Sequence, residues 1–301
     1  MIIFLEDKTI KGNPGRLPGG KAVLMAGPQE GEEAVALAGI SMVEGYPEAE
    51  DHSIRFESRG LYDYLSIHIP DLDFPDRDPE AMECYFSHET LVVIGEGGVF
   101  DKLGLGIEVR SGPDRTPVQV LALLFNLLLA EETGLLESMD DAIDLLEEEA
   151  LKRKPEDHAS EIIALRKQLA AVKHYFDSLY DLLEELEENK NGIFTKSQLS
   201  LFRAHKNKVN RLVNRTLNLR ERLTQVREAF QNQLDISLNE TMRFFTVITA
   251  IFLPLTLIVG WYGMNLRMPE LESAITYPVI IGVSLVFMVI SLIFCKKKGW
   301  F

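Results

Sequence analysis

A row of mainly polar side chains at helical spacing leads into and through an uncharged, apolar stretch near the end of this 301-residue chain. Read backwards in steps of four and three, the row comprises Gly260, Thr256, Leu253, Thr249, Thr246, Met242, Asn239 and Asp235. This spacing keeps the whole row, called here the polar stripe, on one helical face. The oxygen-bearing side chains of this row could line a water-filled cation path, and Met242 and Leu253 would form hydrophobic constrictions in it. The alternative is helix packing in lipid through small and hydroxylated residues; Asp235 and Asn239 at one end favour the path.

Two segments are long and apolar enough to cross a bilayer. Residues 244–261 and 277–295 carry no charge, and a hydrocarbon core needs about 20 helical residues. Arg243 and the basic tail 296–301 flank them, which predicts a multi-pass protein of the cell membrane with both termini in the cytoplasm and loop 262–276 outside. One stripe per chain cannot enclose an ion path, so the pattern requires a ring of identical subunits with the first span innermost.

The rest of the chain is predicted to be cytosolic and of mixed α+β class. Residues 1–115 contain short apolar runs separated by Gly, Pro and Asp, which indicates an α/β domain. The predicted strands are Met1–Leu5, Lys21–Ala26, Leu61–Ile69, Met82–Phe86 and Thr90–Gly95. Acidic helices follow over 116–196, at 117–134, 138–153 and 158–188. A stalk over 197–243 continues into the first span, because no Pro or Gly occurs between Ile193 and Pro254.

The stalk carries an apolar seam and is rich in basic residues. The seam comprises Val209, Leu212, Thr216, Leu219, Leu223, Val226 and Phe230. The basic residues are Arg203, Lys206, Lys208, Arg211, Arg215, Arg220, Arg222 and Arg227. Earlier helices are acidic instead, at Glu137, Asp140, Asp141, Asp144, Glu147, Glu148 and Glu149 and again at Glu184, Glu185, Glu187 and Glu188. These blocks are either solvated faces, mutually attracting surfaces or holders of screening cations.

Composition excludes several classes of function. The net charge of −15 argues against a nucleic-acid partner, which requires clustered uncompensated Lys and Arg. Two cysteines make no disulfide framework and indicate a reducing compartment. The glycines at 95–98 and 104–106 are rejected as a nucleotide fingerprint, because neither set combines a strand-to-helix position with the third glycine. Neither zinc-ligand spacing nor a nucleophile–base arrangement is found, so no enzyme activity is predicted.

The end of the chain resembles the CorA family of magnesium channels. The resemblance rests on Tyr262-Gly263-Met264-Asn265, on Met268-Pro269-Glu270-Leu271 in the same loop, and on the Lys-Lys-Lys-Gly-Trp-Phe end. It implies an α+β membrane protein with an N-terminal α/β/α cytosolic domain, a long stalk helix, two C-terminal transmembrane helices and a homopentameric funnel. It also implies that Gly263, Met264 and Asn265 capture hydrated Mg²⁺ at the outer mouth, in the loop that holds Glu270. Neutral oxygens suit this step, because Mg²⁺ gives up its water reluctantly.

The resemblance also assigns roles inside the chain. Asn239, Thr249, Thr256 and Gly260 fall at the family's pore-lining positions, and the polar stripe adds Asp235 and Thr246. The hydrophobic gate falls at Met242, Phe245 and Leu253. Glu228 falls near a cytosolic acidic ring, and Asp63 is the expected first ligand of a regulatory Mg²⁺ site. The second ligand is expected on the stalk of a neighbouring subunit, where Ala204-His205-Lys206 offers no carboxylate.

The predicted function is passive Mg²⁺ influx through a path that cytosolic Mg²⁺ closes. Mg²⁺ is thus expected to be both the transported ion and the regulator. One alternative is transport of Zn²⁺, Co²⁺ or Ni²⁺ by the same architecture. The intact Met-Pro-Glu-Leu motif favours Mg²⁺, because zinc-moving relatives depart from it. Another alternative is a membrane-anchored Mg²⁺ sensor that conducts nothing, against which the unbroken polar stripe argues.

Overall fold

A seven-stranded mixed sheet forms the centre of the first of two compact units. The computed structural model describes residues 1–5, 8–17, 19–40, 54–71, 77–130, 132–152, 158–264 and 275–298. Unit 1 comprises Met1–Glu147 and Asp157–Val226, and unit 2 comprises Glu148–Glu156 and Arg227–Phe301. The domain boundaries expected at 115 and 196 both fall inside unit 1 and stay predictions.

The strands within the described residues follow the spatial order β2-β1-β3-β7-β6-β5-β4. Their bounds are β1 Ile2–Leu5, β2 Thr9–Lys11, β3 Ala22–Ala26, β4 Arg55–Ser58, β5 Asp63–Ile69, β6 Glu80–Phe86 and β7 Thr90–Gly95. Strands β3 and β7 pair in parallel at the centre, and every other neighbouring pair is antiparallel. Every residue of β3 is buried, as expected for a strand covered on both faces.

Helices cover both faces of this sheet. The α-helices within the described residues are α1 Gly31–Leu37, α2 Gly98–Glu108, α3 Pro117–Leu128, α4 Glu132–Ala150, α5 Ala159–Glu188, α6 Lys196–Tyr262 and α7 Thr276–Lys297. Helix α1 packs on the face that presents Leu24 and Ile94, and α2 approaches Met25 on the other face, with α3 packed against it. This arrangement confirms the predicted N-terminal α/β/α layers.

The loop between β7 and α2 differs from its expected setting. Gly95–Gly98 does connect a strand to a helix, so only the missing third glycine excludes a nucleotide fingerprint. The Glu80 carboxylate accepts hydrogen bonds from the amides of Gly98 at 3.0 Å and Val99 at 3.3 Å. The start of α2 is therefore capped by a carboxylate of the same chain. Gly97 has φ 107°, and a Cβ there would lie 2.6 Å from the Glu80 carboxyl carbon.

The helix predicted over 117–134 is wrong at its end, because α3 stops at Leu128 and α4 starts at Glu132. The reason is a tertiary contact at the C-terminus of α3. The Lys208 ammonium donates to the Leu129 carbonyl oxygen at 2.8 Å, where a cation is favoured by the helix dipole.

Helix α6 begins at a capping box. The Thr195 amide donates to Gln198 Oε1 at 2.8 Å, and the Gln198 amide donates to Thr195 Oγ1 at 3.4 Å. The helix then continues for 67 residues through Pro254, which confirms the predicted helix from Ser197 to Trp261 to within one residue at each end. Its seam from Val209 to Val226 is buried within the chain.

An aromatic cluster joins the sheet to the start of α6. Phe86 of β6 stacks on Phe194 at 4.9 Å, and Phe202 meets Phe194 edge-on at 5.0 Å and Phe125 of α3 at 6.0 Å. Phe202 is fully buried. The cluster anchors the sheet, α3 and the stalk to one another through large, rigid apolar surfaces.

Candidate functional site

The polar stripe lies on one continuous helix, because α6 includes every position from Asp235 to Gly260. All of its members are exposed, including Met242 at 66% and Leu253 at 68%. Phe245, the third predicted gate residue, is 61% exposed.

The opposite face of the same segment is partly covered within the chain. Its less exposed residues are Val247, Ile251, Pro254, Leu255 and Ile258. Val247 is only 3% exposed, and in α7 Cys295 is 2% exposed. The chain therefore covers part of the side opposite the polar stripe and leaves the polar stripe itself available to other copies or to solvent.

The three threonines of the stripe share one hydrogen-bond geometry. The hydroxyls of Thr246, Thr249 and Thr256 donate to the carbonyl oxygens of the residues four positions earlier, each at 2.8 Å. Each hydroxyl hydrogen is thereby used inside the helix, and the oxygen lone pairs remain available on the exposed side. A hydrated cation presents water hydrogens outward, so acceptors of this kind complement it.

The stripe ends at a turn that requires glycine. The Gly263 amide donates to the Val259 carbonyl oxygen at 2.8 Å, and a Cβ on Gly263 would lie 2.9 Å from that oxygen. Met264 follows and is 47% exposed. Asn265 and Glu270, predicted for ion capture and for the outer loop, lie outside the described residues.

Several acidic and basic residues of unit 1 form ion pairs between helices, as one of the three alternatives for these blocks predicts. Arg222 pairs with Asp140 and Asp144, and its guanidinium lies 3.2 Å from the Glu147 carboxylate. Arg215 lies 3.8 Å from Asp140 as well. Three carboxylates on one face of α4 thus converge on one stalk guanidinium, and hydrogen bonding to them raises the pKa of Arg222.

Asp63 is placed inside unit 1, at the start of β5. Its side chain is 2% exposed, and its Oδ1 accepts hydrogen bonds from Ser58 Oγ at 2.9 Å and Asn191 Nδ2 at 2.7 Å. Burial raises the pKa of this carboxyl above its usual value, although both hydrogen bonds act in the opposite direction. Sequence reasoning missed Asn191, which gave only a turn signal beside Gly192.

Among the described residues, no group of three or more His, Cys, Asp or Glu side chains is arranged to hold a metal ion. Both cysteines are free and buried, and burial raises the pKa of the Cys84 thiol to about 12. In the part of the chain that the structure describes, two helices are long and apolar enough to cross a membrane, α6 and the segment Tyr277–Lys297 of α7.

Comparison with known proteins assigns the family. The model of the CorA-like Mg²⁺ transporter protein family matches residues 39–297. The chain belongs to this family. The Thermotoga maritima cobalt/magnesium transport protein CorA is 27% identical over 252 residues, which cover 82% of this chain and 72% of the relative. The Campylobacter jejuni magnesium transport protein CorA is 28% identical over 187 residues, which cover 60% and 56%.

Solved structures show the same fold. The complete CorA magnesium transporter from Methanocaldococcus jannaschii superposes with a TM-score of 0.81 at 20% identity, covering 100% of this chain and 98% of that one. The likeness confirms the predicted CorA architecture of an N-terminal α/β domain, a long helix and C-terminal apolar helices.

Within this CorA-like chain, the residues assigned by family resemblance fall in two regions. The pore and gate positions all lie in unit 2 and are exposed on the side of α6 that carries the polar stripe. Glu228 also lies in unit 2 and is exposed. Asp63 lies in unit 1, and as a regulatory ligand it stays a prediction. On the stalk, Ala204 is exposed and His205 Nδ1 lies 2.7 Å from the Leu201 carbonyl oxygen.

Proposed function

We propose that the chain conducts Mg²⁺ passively across the cell membrane as a homo-oligomer, with the polar stripes of several copies surrounding the ion path. The observation that carries the proposal is the exposed, acceptor-presenting stripe on α6, whose opposite face the chain covers only in part. An isolated copy leaves Phe245 and Leu253 exposed beside the stripe. Such a surface suits a ring in which neighbours bury the apolar positions and the oxygens line water.

The remaining features of the proposal follow from the sequence and the relatives. Both termini lie in the cytoplasm, because Arg243 and the tail 296–298 flank the two spans. Five subunits are the number implied by the resemblance. Asn265 captures the hydrated ion at the outer mouth together with Gly263 and Met264. Cytosolic Mg²⁺ closes the path by binding acids of the cytosolic region.

Replacement of Asn265 by Ala tests ion capture directly. The wild-type chain should rescue growth of a strain that lacks Mg²⁺ uptake, and Asn265→Ala should not, at equal membrane abundance. A matched control is Ser284→Ala, which removes a hydroxyl from α7 outside the polar stripe. Full rescue by Asn265→Ala would refute the assigned role of Asn265.

A second candidate function is transport of Co²⁺, Ni²⁺ or Zn²⁺ by the same path. The Thermotoga relative is named a cobalt/magnesium transport protein, which favours Co²⁺ among these ions. Competition of each metal with Mg²⁺ flux into proteoliposomes separates the cargoes. The same liposomes test the non-conducting sensor, because absence of Mg²⁺ flux at low internal Mg²⁺ would favour it.

A further inference from the structure

Helix α5 carries several carboxylates at its C-terminus, where negative charge interacts unfavourably with the helix dipole. Glu184, Glu185, Glu187 and Glu188 occupy its last turns, and the helix stops at Asn189 in a left-handed conformation with φ 50°. The C-terminus of a helix carries partial negative charge, so carboxylates there are destabilising unless cations lie close to them. The question is which cations fill this position.

Two residues of α6 supply them. The Lys206 ammonium lies 2.7 Å from Glu187 Oε2 and 3.8 Å from Glu184 Oε1. Arg203 donates to Glu187 Oε1 through its Nε at 2.6 Å, and its second nitrogen lies at 2.5 Å. Glu187 Oε1 therefore accepts from Arg203, and Glu187 Oε2 forms an ion pair with the Lys206 ammonium. The side chains of Glu187 and Lys206 are only 16% and 19% exposed, which makes this pair stronger than an open surface ion pair.

The turn that follows α5 is fixed to the sheet by hydrogen bonds. Asn191 Nδ2 donates to Asp63 Oδ1 at 2.7 Å and to the Tyr62 carbonyl oxygen at 3.2 Å. Ser58 Oγ completes the contacts of Asp63 Oδ1. The turn is thus bound to α6 through Glu187 on one side and to β5 through Asp63 on the other. We call Asp63, Asn191, Glu187, Arg203 and Lys206 the junction cluster.

The donor set of this cluster does not fit a resident Mg²⁺ ion. Mg²⁺ requires oxygen ligands at octahedral positions and keeps several waters. Here Glu187 Oε1 already accepts from Arg203, the Lys206 ammonium lies 2.7 Å from Glu187 Oε2, and Asp63 is shielded from solvent. The stalk position where the family resemblance predicts a carboxylate contributes an ammonium instead. A dication at Glu187 would have to displace two cations, and one at Asp63 would have to displace two neutral donors.

We infer that the ammonium of Lys206 and the guanidinium of Arg203 act as built-in cations that hold the α5–α6 junction together without metal. The junction cluster is therefore a constitutive connection between sheet and stalk, insensitive to cytosolic Mg²⁺. Any closing of the path by Mg²⁺ then operates through acids elsewhere in the cytosolic region. The inference concerns the junction alone and does not depend on ion conduction.

Hydrogen exchange on the full-length protein in lipid nanodiscs tests this inference. Peptides covering residues 180–210 should exchange at the same rate with no Mg²⁺ and with millimolar Mg²⁺ at matched ionic strength. Replacing both cations, as Arg203→Gln with Lys206→Gln, should speed exchange in these peptides by about threefold to tenfold. Arg220→Gln, an exposed arginine outside the cluster on the same helix, should leave it unchanged.

Two results would overturn the inference. One is saturable Mg²⁺ protection of these peptides in the wild-type protein that Asp63→Asn or Glu187→Gln removes, because it would establish a metal site here. The other is unchanged exchange in the double variant. Should the double variant not fold, Lys206→Gln alone is compared with Lys206→Arg, which keeps the charge and should retain slow exchange. Mg²⁺ flux, measured separately in liposomes, reports on conduction and not on the junction.

Discussion

Removing one oxygen from the polar stripe gives a quantitative test of the proposed ion path. Thr256→Val replaces the hydroxyl by a methyl group of similar size. The Thr256 hydroxyl donates to the Phe252 carbonyl oxygen at 2.8 Å, and that carbonyl keeps its helical partner, the backbone amide of residue 256. The helix should therefore persist, and the only loss is an acceptor on the exposed side.

The expected size of the effect follows from that single lost acceptor. Each hydrogen bond to the hydrated ion contributes about 1 kcal/mol net. A ring presents one hydroxyl per subunit, so an ion that contacts two of them at once loses about 2 kcal/mol, or about 30-fold. Mg²⁺ entry into proteoliposomes containing a fluorescent Mg²⁺ indicator, at subsaturating Mg²⁺, should fall by that factor.

Two control variants define the outcome. Thr256→Ser keeps the oxygen and should conduct within about twofold of wild type. Ser284→Ala removes a hydroxyl from α7 and should have no effect. If Thr256→Val assembles normally and still conducts at half the wild-type rate or more, the stripe does not contact the ion at this level.

Three further variants test the fold that supports the site. Phe202→Ala removes a buried ring from the aromatic cluster and should therefore lower the free energy of unfolding by about 3–5 kcal/mol in denaturant titrations. Phe202→Leu, which keeps most of the buried apolar volume, should have a clearly smaller effect. Gly97→Ala should cost about 1–3 kcal/mol, because it combines a positive φ with a clash against Glu80; Gly98→Ala, where the nearest atom is 3.6 Å away, should not. Hydrogen bonding from Lys206 lowers the pKa of Glu187, so its stabilising contribution is present above the usual carboxyl pKa and is lost as pH falls through the lowered value. The gap in Tm between wild type and Glu187→Gln should therefore close as the pH falls below the usual carboxyl pKa of about 4.3; a constant gap would contradict the ion pair.

The parts of the fold that sequence predicted best are those specified by local pattern. Strand Thr90–Gly95 was predicted at its observed bounds, because its apolar run is bounded by turn residues on both sides. Helix α6 was predicted to within one residue at each end, because a long segment free of Pro and Gly leaves little choice. The polar stripe likewise needs only helical periodicity, which the continuous helix supplies.

The elements that the sequence did not predict are those whose secondary structure depends on tertiary contacts. Edge strands β2 and β4 lack an apolar run, since β4 reads Arg-Phe-Glu-Ser. Helix α2 contains Gly104 and Gly106, which weaken the helical signal but allow close approach to Met25 and Leu123.

The charged side chains show the same limit. Composition predicted that acidic and basic blocks exist, but only the packed helices determine that Arg222 faces three carboxylates while Lys206 faces Glu187. The contact from Asn191 to Asp63 had no sequence signal, because a turn residue and a strand residue far apart in the chain form it.

The central parallel pairing has a consequence for how the chain folds during synthesis. Strand β3 is made early, yet its partner β7 follows about 70 residues later, since Ala22 pairs with Thr90. Strands β4 to β7 pair in sequence order as a meander and close only short loops. Local pairing should therefore precede the docking of β3, and the fully apolar β3 stays unpaired on one side until β7 has left the ribosome. In a protein whose last segments must also enter a membrane, this interval is when the nascent chain most needs protection from aggregation.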